Sequence, residues 1–340
     1  MPEQIISPLS WSKPSQPSPD RRLVLRDGAA HGNDMGAAAQ ENNDRVMLGI
    51  AMRLLAVFLL SSLSALIKVA ETRGANLAEI MFFRQGAAVP VVLAYMMVAG
   101  PGLGAVQSRA VRGQVIRATV GLTGMVFNFG AILLLPLAEA TTLAFTVPIF
   151  ATILGALVLK EPTGWHRWGA VAAGFAGVLI VTQPGSGHFP IGGALVGLTS
   201  AVFVALVAIQ LRQIGKVDAP VTTVFWFSSL SMVPLTLIYP FYAHGHDSTT
   251  FAVLIAMGLV GGLGQIAFTA ALKYAPVSAV MPMDYSSLIW ATLYGWVLFG
   301  MLPTPWTWVG APVIVASGLY IVWREHRVAR HPQVREAIAD

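Results

Sequence analysis

The amino-acid sequence predicts an all-α polytopic membrane protein of ten transmembrane helices, arranged as two inverted five-helix repeats. Three observations carry this reading. Charge is scarce and concentrated at the ends: 37 of 340 residues are charged, with 11 in residues 1–45 and 7 in residues 324–340. Soluble domains use about 25% charged residues to cover their surface, so residues 46–323 cannot face water and a soluble enzyme is excluded. From residue 46 onward, apolar runs follow one another, each about as long as a bilayer is thick. Finally, short motifs recur about 140 residues apart.

Along the chain, residues 1–45 carry five prolines (Pro2, Pro8, Pro14, Pro17 and Pro19) and no helical apolar period. Such a composition does not bury enough surface to offset ordering entropy, so a disordered cytoplasmic tail is expected there. Arg21-Arg22 is not followed by an apolar stretch, which excludes a twin-arginine export signal. The predicted spans are 47–67, 77–99, 114–134, 138–159, 166–183, 192–212, 220–243, 250–272, 277–299 and 305–323. Crossing about 30 Å of hydrocarbon takes roughly 20 helical residues. Gly100-Pro101-Gly102, Glu161-Pro162-Thr163-Gly164, Asp218-Ala219-Pro220 and Pro303-Thr304-Pro305 punctuate the cuts. Residues 324–340 read as a basic cytoplasmic tail.

The Lys/Arg distribution supports the count. With both termini inside, the cytoplasmic segments hold 18 of the 21 basic residues, Arg53 and Arg117 among them. The outer segments hold Lys68 and Arg73, and Arg84 lies within a span. That asymmetry is the positive-inside pattern, here of a bacterial inner-membrane protein.

The repeat is visible residue by residue. Phe150-Ala-Thr-Ile-Leu-Gly155 returns as Trp290-Ala-Thr-Leu-Tyr-Gly295. Thr163, Trp165, Gly169 and Gly177 return as Thr304, Trp306, Gly310 and Gly318, and Pro136 returns as Pro276. Phe83, Pro90 and Tyr95 match Phe227, Pro234 and Tyr239. The halves span 46–183 and 192–323. Five helices is an odd number, so the second half enters the membrane from the opposite side, as in many secondary transporters whose site lies between the halves.

At these residues the sequence resembles the drug/metabolite transporter superfamily, and specifically its EamA-type ten-helix members. The likeness rests on Pro136-Leu-Ala-Glu-Ala-Thr-Thr142, Val147-Pro-Ile-Phe150, Leu159-Lys-Glu-Pro162 and Gly174-Phe-Ala-Gly-Val-Leu-Ile-Val181. Its second-half counterpart is Tyr274-Ala-Pro-Val-Ser278 with Asp284-Tyr285. It looks closest to the branch of S-adenosylmethionine carriers; riboflavin and metallophore transporters have a similar architecture. The resemblance implies transport of a small metabolite. The family's Gly-Glu at the end of helix 4 is Lys160-Glu161 here, and the matching Gly300-Met301 lacks the acid, so no role carries over to that position.

Six residues are candidates for substrate binding or coupling: Arg84, Asp284, Asn128, Gln265, Tyr285 and Trp290. Arg84 lies seven residues into its span, where an arginine is costly unless paired or facing water. It reads as an anchor for an anionic group, or as a partner of Glu79, Glu139 or Asp284. Asp284 is the one acid deep in a span and suits a proton-coupling role. Asn128 and Gln265 are amides in hydrocarbon, which bond between helices or to substrate. Tyr285 and Trp290 can wall a pocket or pack. The glycines at 258, 261, 262 and 264 read as close helix contacts.

No catalytic residue, metal site or cofactor is expected. The chain has no cysteine, and its histidines lack metal-ligand spacing. The expected partners are a small-molecule metabolite and the lipid bilayer, with a homodimer allowed. Nucleic acid is excluded because the basic residues are dispersed. An intramembrane enzyme is the alternative class, but it would need paired catalytic groups at one depth. A receptor or structural membrane protein comes third, and a receptor would carry a signalling domain.

Overall fold

The computed structural model describes residues 21–98, 101–157, 164–184, 190–275 and 280–330. The motif at 159–162, the loop at 185–188, Pro276 to Ser278, residues 1–20 and residues 331–340 lie outside these. The helices are α1 (Arg21–Thr72), α2 (Leu77–Val98), α3 (Val111–Leu134), α4 (Leu137–Ala144), α5 (Val147–Leu157) and α6 (Trp165–Thr182). They continue with α7 (Ile191–Ile214), α8 (Pro220–Tyr242), α9 (Ser248–Tyr274), α10 (Ser287–Phe299) and α11 (Pro305–Arg330). Short 3-10 turns occupy Leu103–Val106 and Met281–Ser286.

Residues 21–45 belong to a unit of their own and are helical, in place of the expected disordered tail. The five prolines all precede residue 20, and residues 21–45 have none; Ala29, Ala30 and Ala37 to Ala39 favour helix there, against Gly28, Gly32 and Gly36. The bundle begins at Val46.

Among the described residues, eight helical stretches are long and apolar enough to cross a membrane, against ten predicted spans. The two others fall short for separate reasons. α6 opens on Trp165-His166-Arg167-Trp168, which lowers its hydropathy. The ninth span is interrupted, leaving 13 residues in α10.

The fourth predicted span is also broken, at Phe145-Thr146, where the sequence predicts one continuous helix. Pro148 has no N–H to give the Ala144 carbonyl, and the Thr146 amide and hydroxyl both donate to the Leu143 carbonyl, at 3.1 and 2.6 Å. In the second half the Ser286 hydroxyl donates to the Met283 carbonyl, also at 2.6 Å. These positions are related by the 140-residue repeat. So are Phe145 and Tyr285, whose rings meet with centroids 4.9 Å apart. The two interrupted helices therefore face each other at their breaks.

Contacts within the bundle map onto themselves when the halves are exchanged. α2 packs on α9, and its repeat mate α8 packs on α3. α6 packs on its repeat mate α11, and α4, the first part of the broken fourth span, packs on α10, the second part of the broken ninth. α5 packs on α7, while Phe58 of α1 lies edge-on to Trp290 of α10 at 4.9 Å. The core draws Ile67, Ile80 and Leu143 from the first half and Leu254, Met257 and Ile314 from the second. Leu237, Phe241, Ile289 and Val297 are exposed, an outer surface suited to lipid.

Glycines set the closest approaches. A side chain on Gly258 would meet the Phe83 carbonyl, and one on Gly264 would meet Leu59 and Leu60. At the α6–α11 contact, a methyl group added at Gly310 would sit 2.7 Å from the Gly177 carbonyl oxygen. Backbone cannot yield as a side-chain tip can. Gly310→Ala should therefore cost about 1–3 kcal/mol, read as a lower melting temperature in detergent, while Gly169→Ala, with open space around it, should cost little.

One polar clasp joins the loops at the ends of the helices. Asp218 accepts from the Arg109 amide at 2.9 Å, from Gln114 Nε2 at 2.9 Å and from the Ser108 hydroxyl. Burial pushes its pKa up, but the hydrogen bonds outweigh that and leave it below the ordinary value.

Candidate functional site

Two adjoining cavities lie inside the bundle. One, of about 240 Å³, runs between the broken helices and is lined by Ser64, Asn128, Phe145, Phe268, Asp284 and Ser287 among others. The other, of about 380 Å³, reaches Arg84, Arg117, Asn128, Phe227 and Gln265. Leu60, Ser64 and Asn128 belong to both walls.

An ion pair closes one end. Pro282 lies in the 3-10 turn that carries Asp284. There Arg53 grips it with both prongs: Nε to Oδ1 at 2.6 Å and Nη2 to Oδ2 at 2.6 Å. The Arg53 guanidinium also lies 3.7 Å from the ring centre of Phe268 on α9, within cation–π range. Arg53 is 4% exposed and the Asp284 side chain 38%, so the acid faces the cavity and the base is sealed behind it.

The expected partnership of Arg84 with Asp284 is not made, and Arg53 takes the acid. The reason is depth. Residues 47–67 and 277–299 are predicted to enter from the same side, and Arg53 and Asp284 both lie six or seven residues in, roughly 10 Å at helical rise. Arg84 enters from the other face. Its other expected partners are also committed. Glu79 accepts from the amides of Asn76 at 2.9 Å and His244 at 2.8 Å and pairs with His246 at 2.9 Å. Glu139 accepts from the Thr304 amide at 3.2 Å and the Thr307 hydroxyl at 3.3 Å, holding the start of α11.

Arg84 is buried and donates through Nη1 to the side-chain oxygen of Gln85; its Nε has no partner among the described residues. Arg117 lies with its guanidinium 4.5 Å from the ring centre of Phe227, and its buried Nε and Nη1 have no hydrogen-bond partner among the described residues. Asn128 and Gln265 line the same cavity as these two arginines. Tyr285 and Trp290 line neither cavity. Tyr285 packs on Phe145 and against Gly318, where an added methyl would meet its hydroxyl, and Trp290 packs between Phe58 and Tyr294.

Sequence reasoning missed Arg53 and Arg117, placing both among the charges of cytoplasmic segments. The missed signal was depth: each lies several residues inside its helix, as Arg84 does. Among the described residues, no three His, Asp or Glu side chains converge as a metal site would require.

The model of the EamA-like transporter family matches residues 47–183 and 191–323. The chain belongs to this family. Its two matched segments are the two five-helix halves, which fits the exchange of contacts described above. The chain is 32% identical over 196 residues to a riboflavin transporter of Vibrio cholerae, covering 57% of this chain and 65% of that protein. It is 28% identical over 275 residues to the pseudopaline exporter CntI of Pseudomonas aeruginosa, covering 81% of this chain and 95% of the exporter. Human solute carrier family 35 member G1 matches at 27% identity, over 80% of this chain and 78% of the carrier. A solved crystal structure aligns with a TM-score of 0.57 over 82% of this chain and 98% of its own, at 18% identity; that likeness shows the fold. The protein is a multi-pass membrane protein of a transporter family.

Proposed function

We propose that the chain moves a small polar or amphipathic metabolite across the bacterial inner membrane by alternating access, with both termini cytoplasmic and transport coupled to protons at Asp284. Relatives named for riboflavin and for pseudopaline support a small organic cargo. The observation that carries the mechanism is the Arg53–Asp284 pair, which joins α1 to the break in the ninth span on the cavity wall. One proton on Asp284 removes a charge from that fork and weakens the tie. The helix break is then free to move relative to α1, and the cavity opens toward the other face. Rebinding of Arg53 after proton release resets the pair. Asn128, on the wall shared by the two cavities, offers an amide to cargo at either end.

The test uses proteoliposomes and an imposed pH gradient. Wild-type uptake should respond to the gradient. The double variant Arg53→Gln/Asp284→Asn, which removes both charges and keeps polar groups at both positions, should transport without that response. A gradient response that survives in the double variant would remove Asp284 from the coupling step. A wild type indifferent to the gradient would remove proton coupling altogether.

A further inference from the structure

Among the described residues, the larger cavity is lined by two cations and no anion. Arg84 on α2 and Arg117 on α3 line it together. Among the described residues neither makes an ion pair, and three of their six side-chain nitrogens and one neighbouring amide are buried without a hydrogen-bond partner: Arg84 Nε, Arg117 Nε and Nη1, and Gln85 Nε2. The acids nearest in the fold are committed elsewhere. Asp284 is held by Arg53, Glu79 by His246 and two backbone amides, and Glu139 by the start of α11. Arginine does not shed its proton to escape burial, and buried charges in proteins are otherwise paired. Two guanidiniums left this way in a bundle interior call for negative charge from outside the chain.

We infer that this cavity is the binding site for a small organic anion, with Arg84 and Arg117 gripping its carboxylate or phosphate oxygens. The inference rests on the transport reading above and deepens it by naming the chemical class of the cargo. Each guanidinium presents a planar fork that matches two oxygens of one such group. Two forks in one cavity suit a dianion, or one group held from both sides. Gln265 and Asn128 add neutral donors and acceptors on the same wall, and Phe227 offers an apolar face to the rest of the molecule. The Arg53–Asp284 pair next door is neutral overall, so the net charge of the combined cavity is positive.

The test is thermal unfolding of the purified full-length protein in neutral detergent at constant ionic strength. Succinate, citrate, inorganic phosphate and glycerol phosphate are the probes, with chloride and a quaternary ammonium salt for comparison. A carboxylate or a phosphate at about a hundredfold its Kd should raise the melting temperature by about 5 °C or more, and which of the two does so assigns the group. The double variant Arg84→Gln/Arg117→Gln should lose that rise while its ligand-free melting temperature stays level or increases, because an uncompensated charge pair has been removed. A wild type that no organic anion or phosphate stabilises would overturn the proposal, as would a rise that persists in the double variant. Stabilisation by chloride alone would overturn it too. The transport reading fails separately: vesicles that move neutral metabolites but bind no anion refute the anion class alone, whereas anion binding without flux of any compound refutes transport.

Discussion

Asp284→Asn should destabilise the protein by about 3–5 kcal/mol, the range for breaking a buried ion pair from one side. The substitution keeps the shape of the side chain but strands the Arg53 guanidinium, which is 4% exposed and has Phe268 as its remaining neighbour of note. The reverse change, Arg53→Gln, should cost less. It strands Asp284, whose side chain is 38% exposed toward the cavity and can be solvated there. Combining the two substitutions should recover stability relative to Asp284→Asn, with a coupling energy of about 2 kcal/mol. Chemical or thermal unfolding of the four proteins in one detergent measures all of this. Equal costs for the two single variants would mean that water reaches both partners alike.

Arg84 should behave in the opposite manner. Arg84→Ala should leave folding intact, since the described contact it loses is the one to its own neighbour Gln85. Transport of an anionic cargo should fall roughly 10–150-fold, corresponding to the loss of one charged hydrogen-bonding group worth about 1.5–3 kcal/mol. Arg84→Lys should fall in between, because an ammonium restores the charge without the fork. Measured together, flux and melting temperature separate the roles: a structural arginine would lower both, and a substrate anchor lowers flux alone.

Much of the fold was legible because hydropathy and length are physical requirements of the bilayer. The predicted span 77–99 is α2 at Leu77–Val98, 220–243 is α8 at Pro220–Tyr242, and Pro136 stands at the start of α4 as its N-cap. The glycines at 258 and 264 meet neighbouring helices as their spacing implied. The break at Phe145 was not legible, because Val147-Pro148 sits inside an uninterrupted apolar run and hydropathy does not register a missing N–H. The helix over 21–45 was hidden by prolines that all lie further upstream. At the candidate site, Arg84, Asn128, Gln265 and Asp284 were found by asking which polar groups lie inside spans. Arg53 and Arg117 escaped the same question because an arginine near the inner edge normally snorkels to the interface. Here α1 and α3 turn those positions inward, against Phe268 and Phe227, which a single sequence does not display. Tyr285 and Trp290 sit near the cavities in sequence but spend their rings on packing.

We propose that the bundle moves a small anion through a cavity lined by Arg84 and Arg117. The most direct test is to load proteoliposomes with a metabolite extract and follow, by mass spectrometry, which compounds leave over time. The expected result is loss of one or a few small organic anions from vesicles carrying the wild type, with the same compounds retained by empty vesicles and by vesicles carrying Arg84→Ala. Loss of no compound, or equal loss from the wild type and Arg84→Ala, would mean that Arg84 does not anchor a transported anion.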